Sequence, residues 1–334
     1  MLEPAPGEGA PPLFGRISGQ VPPTARPRKL VDDEPLGELA ELGLPASGLR
    51  LASSWSFEVW IGPEIVVHVA TPETSPRLAR TARLLTELPA ESGRPELLGA
   101  GQSWMATRRS PGRPLIDAWP SLSPLARRRA IAHLAEMLRA LHVSGAGTAP
   151  IPTCPDRPRP HTLKCDHLLE LIEASCYVPG AQPDLAAAAA EIVDRIPLHG
   201  GASATVHCDV HLGNVLWHRS RVTGLVDFEW CRRAPMGLEL ETLLDAVSHP
   251  GRRAYLAARG QHRSKDHVPI VPWLRSDYPE LFGHPDIVER LRAFALSREL
   301  GDIVYWAGSR PEPRKWQLVR ELVERRSHLD RLLG

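Results

Sequence analysis

One stretch of the chain groups side chains suited to moving a phosphoryl group. Residues 205–216 read TVHCDVHLGNVL and residues 222–229 read VTGLVDFE. Two short β-type apolar runs therefore flank a polar loop. Within it Asp209 precedes Asn214 by five residues, and Asp227 closes a second apolar run thirteen residues further on. Transfer from a nucleotide needs hard oxygen ligands, because Mg2+ keeps octahedral oxygen coordination and shares its shell with substrate phosphates. Asn214 and Asp227 can supply those oxygens, and Asp209 can orient an acceptor hydroxyl and take its proton. Any one of the three could be an ordinary turn residue after a strand. Turn propensity does not account for their joint spacing.

Such loops need a frame, and the pattern upstream predicts one. Leu36, Leu39, Ala40 and Leu42 recur at helical spacing and stop at Gly43. The period then changes to two over Leu51 to Trp60 and Glu64 to Ala70, as in a hairpin turning at Gly62-Pro63. Ile65, Val67 and Val69 fall on one face of that strand, and Val66, His68 and Ala70 on the other. A helix over 78–88 and a strand over 102–108 complete a small α+β lobe spanning 36–109. From 110 to 334 the texture is helical. Ser123-Pro124 is an N-cap and first-turn pair for a helix running to His142, and further helices are predicted at 166–175, 184–195, 238–248, 287–304 and 314–333.

His207-x-Asp209-x-x-x-x-Asn214 together with Val226-Asp227-Phe228-Glu229 resembles the aminoglycoside phosphotransferase and choline kinase superfamily. Trp104 to Arg109 with Pro111-Gly112-Arg113-Pro114-Leu115 is similar to that family's interlobe hinge, and the Ala135 to His142 helix end to the one its members carry. The likeness covers roughly residues 50–250. It implies a bilobal, protein-kinase-like α+β fold, with a small β-rich lobe and a larger helical lobe. ATP would lie near Thr107, Arg108 and Arg109, and Mg2+ at Asn214 and Asp227. Asp209 and Asn214 would be the catalytic pair, with His207 bracing the loop and Glu239 supporting it. Cys208 stands where the family has glycine.

The same comparison exposes departures. The third strand should offer a lysine or arginine to the phosphates, and the next helix a glutamate to hold it. Here the positions read His68 and Thr81, with no lysine between Lys29 and Lys164. The loop over the phosphates, Ala52 to Glu58, lacks glycine. Three readings follow: His68 binds phosphate as an imidazolium, Arg77, Arg80 or Arg83 supplies the charge from the helix, or the nucleotide site has decayed and left a binding scaffold.

Composition sets outer limits. Forty basic and 39 acidic residues give a net charge of +1, which removes the footprint of a nucleic-acid-binding protein, and all the basic residues but Lys29, Lys164, Lys265 and Lys315 are arginines. The start, MLEPAPGEGAPP, lacks a basic or apolar leader, and no apolar run reaches membrane-spanning length, so a cytoplasmic protein without membrane contacts is expected. Five cysteines without a C-x-x-C read as scattered thiols; Cys154, Cys165 and Cys176 with His161 and His167 match no zinc module. The proline-rich segment 1–35 reads as an extended or disordered arm which, with the Arg-rich C-terminal helices, offers a surface for a peptide substrate or partner protein. The acceptor hydroxyl is therefore expected on a small natural product or on Ser/Thr side chains of a precursor peptide, phosphorylated ahead of a partner lyase. Acidic residues over 170–195 could line an acidic cleft for a cationic aminoglycoside or choline, or a solvated helix face. Trp230, Trp273, Trp306 and Trp316 could cage a quaternary amine or fill core.

Overall fold

A computed structural model describes residues 33–45, 47–54, 57–151, 165–196, 203–250, 263–306 and 313–334. The arm up to residue 32, Trp55 and Ser56 of the phosphate loop, Cys154 and His161 lie outside the described residues, as does the side chain of Trp306.

The smaller lobe is an antiparallel sheet built from β1 (Arg50–Ser54), β2 (Glu58–Ile61), β3 (Ile65–Val69), β4 (Leu97–Ala100) and β5 (Trp104–Arg108), in the order β1-β2-β3-β5-β4. The segment 51–60, expected as one strand, is two strands paired with each other. Period-two alternation fixes what each face does. Ile65, Val67, Trp104 and Ala106 bury themselves with Trp60 against Leu39 of helix α1 (Asp33–Glu41), whose Glu38 accepts from Trp104 Nε1 at 2.7 Å. Register pairs His68 with Met105 and Val66 with Thr107. Those side chains therefore share the opposite face, where Met105 joins the main core together with helix α2 (Ser75–Glu87). At Gly43 the chain leaves α1 with φ +68°, a conformation that favours glycine.

The larger lobe contains the short α3 (Leu115–Ala118) and the long α4 (Pro124–Val143). Ser123 caps α4 by accepting from Ala126 N, and Pro124 opens its first turn. Helices α5 (Cys165–Ser175), α6 (Pro183–Arg195), α7 (Gly237–Ser248), α8 (Ile270–Asp277), α9 (Ile287–Trp306), α10 (Pro313–Val323) and α11 (His328–Leu333) complete it. Two small sheets, one pairing β7 (Ser203–Val206) with β10 (Arg232–Pro235) and one ordered β6 (Arg113–Pro114), β8 (Val215–His218), β9 (Arg221–Leu225), carry the polar loops. The helix expected over 314–333 is divided. Arg325 takes φ +56°, and Ser327 with Asp330 forms a capping box that starts a new helix. Strand β4 and helix α8 were not anticipated. No helix among the described residues is long and apolar enough to cross a membrane.

Candidate active site

The polar loop between β7 and β8 is held from beneath by a buried carboxylate. Glu239, in the first turn of α7 and fully buried, accepts the backbone N–H of His207 at 2.6 Å. Its Oε2 also lies 3.6 Å from His142 Nε2, near the end of α4, and His142 in turn shares a 2.7 Å hydrogen bond with Tyr278. His207 Nε2 lies 3.0 Å from the Val226 carbonyl, and its ring meets Phe228 at 4.6 Å. Burial lowers the His207 pKa, with the Glu239 and Asp209 charges opposing the shift. Neutral imidazole fits a group that ties two loops together. Cys208 takes φ +66°, a conformation that favours glycine; burial pushes its thiol up to about 12 and leaves it inert.

Asp209, Asn214 and Asp227 come together through strand register. The Asn214 side-chain amide donates to the Asp209 carbonyl at 3.0 Å and to Asp209 Oδ2 at 3.2 Å. Val215 pairs with Leu225 across β8 and β9, and Val226 N donates to the Asn214 carbonyl at 3.0 Å, so Asp227 follows immediately beside Asn214. Asp227 is exposed and takes φ +70°, ψ 59°. His211, which the sequence reading did not single out, lies with Nε2 3.8 Å from Asp209 Oδ2, while its Nδ1 accepts from Gly213 N. Its place in a polar loop two residues past Asp209 was the available signal.

The donor set fits Mg2+. With the Asn214 amide nitrogen committed to Asp209, the group left for a cation is its carbonyl oxygen, and the exposed Asp227 follows the backbone residue that bonds to Asn214. Among the described residues no group of three or more His, Cys, Asp or Glu side chains is placed to hold a metal ion by itself. Mg2+ does not require a cage, because phosphates and water complete its shell.

On the opposite lobe His68 is half-buried on the inward sheet face, its ring edge-on to Phe57. Its Nδ1 is shielded and has no hydrogen-bond partner, and burial lowers its pKa to about 4. The ring is therefore uncharged near neutrality. Thr81 turns its hydroxyl back to the Arg77 carbonyl at 3.0 Å. Arg80 spends its guanidinium on the carbonyls of Ala149, 3.0 Å, and Cys231, 2.6 Å, while Arg83 is exposed. Arg77 is 2 % exposed, 3.9 Å from Glu229 and 4.6 Å from the Trp230 ring. Thr107 is buried beside Val66. The Arg108 and Arg109 side chains turn to Glu96, 2.5 Å, and to the Gly62 carbonyl, 2.9 Å, and their amides donate to the carbonyls of Glu96 and Glu64. Neither amide is left for an adenine edge.

Solved structures share this architecture. Aminoglycoside phosphotransferase APH(2'')-Ib bound to ADP superposes with a TM-score of 0.61 at 15% identity, covering 90% of this chain and 99% of that one. A choline/ethanolamine kinase family protein from Mesorhizobium loti gives 0.58 at 18% identity, covering 90% and 99%. Macrolide 2'-phosphotransferase MphH from Brachybacterium faecium gives 0.55 at 16% identity, covering 87% and 97%. At these identities the likeness establishes the bilobal kinase-like fold. No curated protein matches by sequence. The model of the phosphotransferase enzyme family, APH, matches residues 47–274, most of the chain, with Asp209, Asn214, Asp227 and Glu239 inside the match, and the chain belongs to that family.

Proposed function

We propose that the chain transfers the γ-phosphoryl group of ATP to a hydroxyl of a small molecule, in the cytoplasm, at a cleft between a lobe of residues 36–109 and one of residues 110–334. The observation that carries this reading is the convergence of Asp209, Asn214 and Asp227, tied by the 3.2 Å Asn214–Asp209 hydrogen bond and the β8–β9 register. The acceptor oxygen approaches Asp209, which orients the hydroxyl and takes its proton as the new O–P bond forms and the bond to the β-phosphate bridging oxygen breaks, releasing ADP. Asn214 holds the Asp209 carboxylate for that transfer while its own carbonyl oxygen, with Asp227, would hold Mg2+. When bound, Mg2+ would neutralise charge on the phosphates. Glu239 and His207 keep the two loops in register. His68 and Thr107 line the nucleotide side, where His68 offers a hydrogen bond and no charge. With the Arg108 and Arg109 amides engaged, the adenine edge is read by other backbone groups of the hinge.

The acceptor is assigned to small molecules because the proteins named above carry aminoglycoside, macrolide and choline/ethanolamine names over the same fold. Incubating the protein with ATP, Mg2+ and a panel of amino sugars, macrolides, amino alcohols and hydroxyl-bearing peptides, read by mass spectrometry, tests it. A gain of one phosphoryl group on a small molecule that disappears in Asp209→Ala is expected. Phosphorylation confined to peptide Ser or Thr would move the acceptor class, and transfer to nothing, with no nucleotide bound, would leave only a scaffold.

A further inference from the structure

The ion pair that the resemblance implies between the third strand and the next helix is absent, and the helix is nevertheless charged at its contact with the metal loop. Arg77 and Arg80 lie one turn apart on the buried face of α2 and reach three consecutive residues, 229–231. Arg80 donates to the Cys231 carbonyl at 2.6 Å. Arg77 places Nη1 3.9 Å from the Glu229 carboxylate, itself only 6 % exposed, and its guanidinium over the Trp230 ring at 4.6 Å. Neither Nε nor Nη1 of Arg77 has a hydrogen-bond acceptor. A buried guanidinium is expensive to desolvate and is retained only where its charge is matched. Here the match is a carboxylate two residues past Asp227.

That turn is held from both lobes. Phe228 packs on His207 of the catalytic loop, and Val226 bonds to Asn214, while Glu229, Trp230 and Cys231 are gripped from α2. Asp227 lies between Val226 and Phe228 in a left-handed conformation, uncommon outside glycine though more accessible to Asp than to most residues. The geometry points to Arg77 as a positioning residue: through Glu229 and Trp230 it couples the placement of α2 to the placement of Asp227. The inference rests on the reading of Asp227 as a metal ligand.

The test is calorimetric binding of ADP with Mg2+ and with EDTA, on wild type, Arg77→Met, Arg77→Lys, Glu229→Gln and the double variant Arg77→Met/Glu229→Gln, with Arg83→Met as an exposed control on the same helix. Couplings between packed sites typically reach about fivefold or more. Arg77→Met and Glu229→Gln should each weaken ADP binding by about that factor in Mg2+ while leaving binding in EDTA unchanged. The double variant should be no worse than either single one, Arg77→Lys should recover part of the loss, and Arg83→Met should match wild type. Equal weakening with and without Mg2+ would make Arg77 a phosphate ligand or a general support of the fold, and unchanged binding would make it core packing; either overturns the inference. Should Arg77→Met fail to fold, Arg77→Lys and Glu229→Gln carry the comparison. Wild type that binds ADP no better with Mg2+ than with EDTA would instead remove the metal reading itself.

Discussion

Asn214 donates its side-chain amide to Asp209 Oδ2 at 3.2 Å and to the Asp209 carbonyl at 3.0 Å, so the residue proposed to hold the cation also fixes the residue proposed to take the proton. The two functions should therefore fail differently when either side chain is changed. Asp209→Asn removes the base without opening the loop, and turnover should fall by about 10²–10⁴ with ADP affinity nearly unchanged. Asn214→Ala should lower turnover and also raise the Mg2+ concentration needed for half-maximal rate. Steady-state kinetics with Mg2+ varied separates them.

The Glu239 carboxylate is the deeper support. Glu239→Ala leaves the His207 N–H without its partner in a site that water does not reach, a loss of about 1.5–3 kcal/mol. The urea midpoint should move down accordingly, with activity lost beyond what the stability change explains. Glu239→Gln keeps an acceptor and should lose less.

Much of this site was legible because its signals are local. Asp209, Asn214 and Asp227 sit at fixed distances along one loop–strand–strand unit, and alternation around His68 placed it on the correct sheet face. What was not legible depends on tertiary direction. Helical spacing placed Arg77, Arg80 and Arg83 on one short helix, but only packing shows that Arg83 meets solvent, Arg80 meets two carbonyls and Arg77 meets Glu229. Arg108 and Arg109 read as nucleotide residues from their place at the hinge, and sequence cannot show that their amides and guanidiniums are already engaged. The four-residue β4, flanked by Gly101 and interrupted by a register shift between Leu97 and Gly99, is too short for a period to emerge. The division of the last helix is set by Ser327 and Asp330, a cap that was present in the sequence and hidden by the apolar residues on either side of it.

Acid should destabilise the fold in a way traceable to histidines. His68 is lowered to about 4 and His328 to about 3, both by burial. A histidine whose folded pKa is depressed contributes stability that is complete above its unfolded value near 6.5 and is lost as pH falls toward the folded one. Urea midpoints should thus drop between pH 6.5 and 4.5, and His68→Asn should recover about 2 kcal/mol of that drop relative to its own stability at pH 7.5. Nucleotide affinity, by contrast, should be flat from pH 6.5 to 8 at this residue, since charging the ring at pH 7 would require phosphate to supply about 4 kcal/mol.

Cys208 occupies a glycine conformation. Cys208→Gly should fold with stability within about 1 kcal/mol of wild type and keep activity, because relief of positive-φ strain offsets the added freedom of the unfolded chain. Cys208→Val, β-branched at φ +66°, should cost about 2 kcal/mol or more. Chemical denaturation of the three proteins checks both.

Arg298 lies in a buried cluster, with Glu241 at 2.9 Å, Asp245 at 3.1 Å and Glu299 at 2.5 Å. Removing it as Arg298→Met takes the cation from Glu241 in the core between α7 and α9, while Asp245 keeps His249 at 3.0 Å and Glu299 keeps Lys315 at 2.8 Å, and should cost about 3–5 kcal/mol. Stability of that variant should rise on acidification toward pH 5 relative to wild type, since burial already raises the Glu241 pKa and loss of its cation raises it further.

The central claim is that Asp227 and Asn214 bind Mg2+ with ATP while Asp209 serves the acceptor, and thermal unfolding with millimolar ATP, with and without Mg2+, tests it most directly. A ligand at one hundred times its Kd stabilises the folded state by about 2.7 kcal/mol. Wild type and Asp209→Ala should both show a Mg2+-dependent rise in Tm, and Asp227→Ala should show none. An equal rise in Asp227→Ala, or no rise in wild type, would contradict the account.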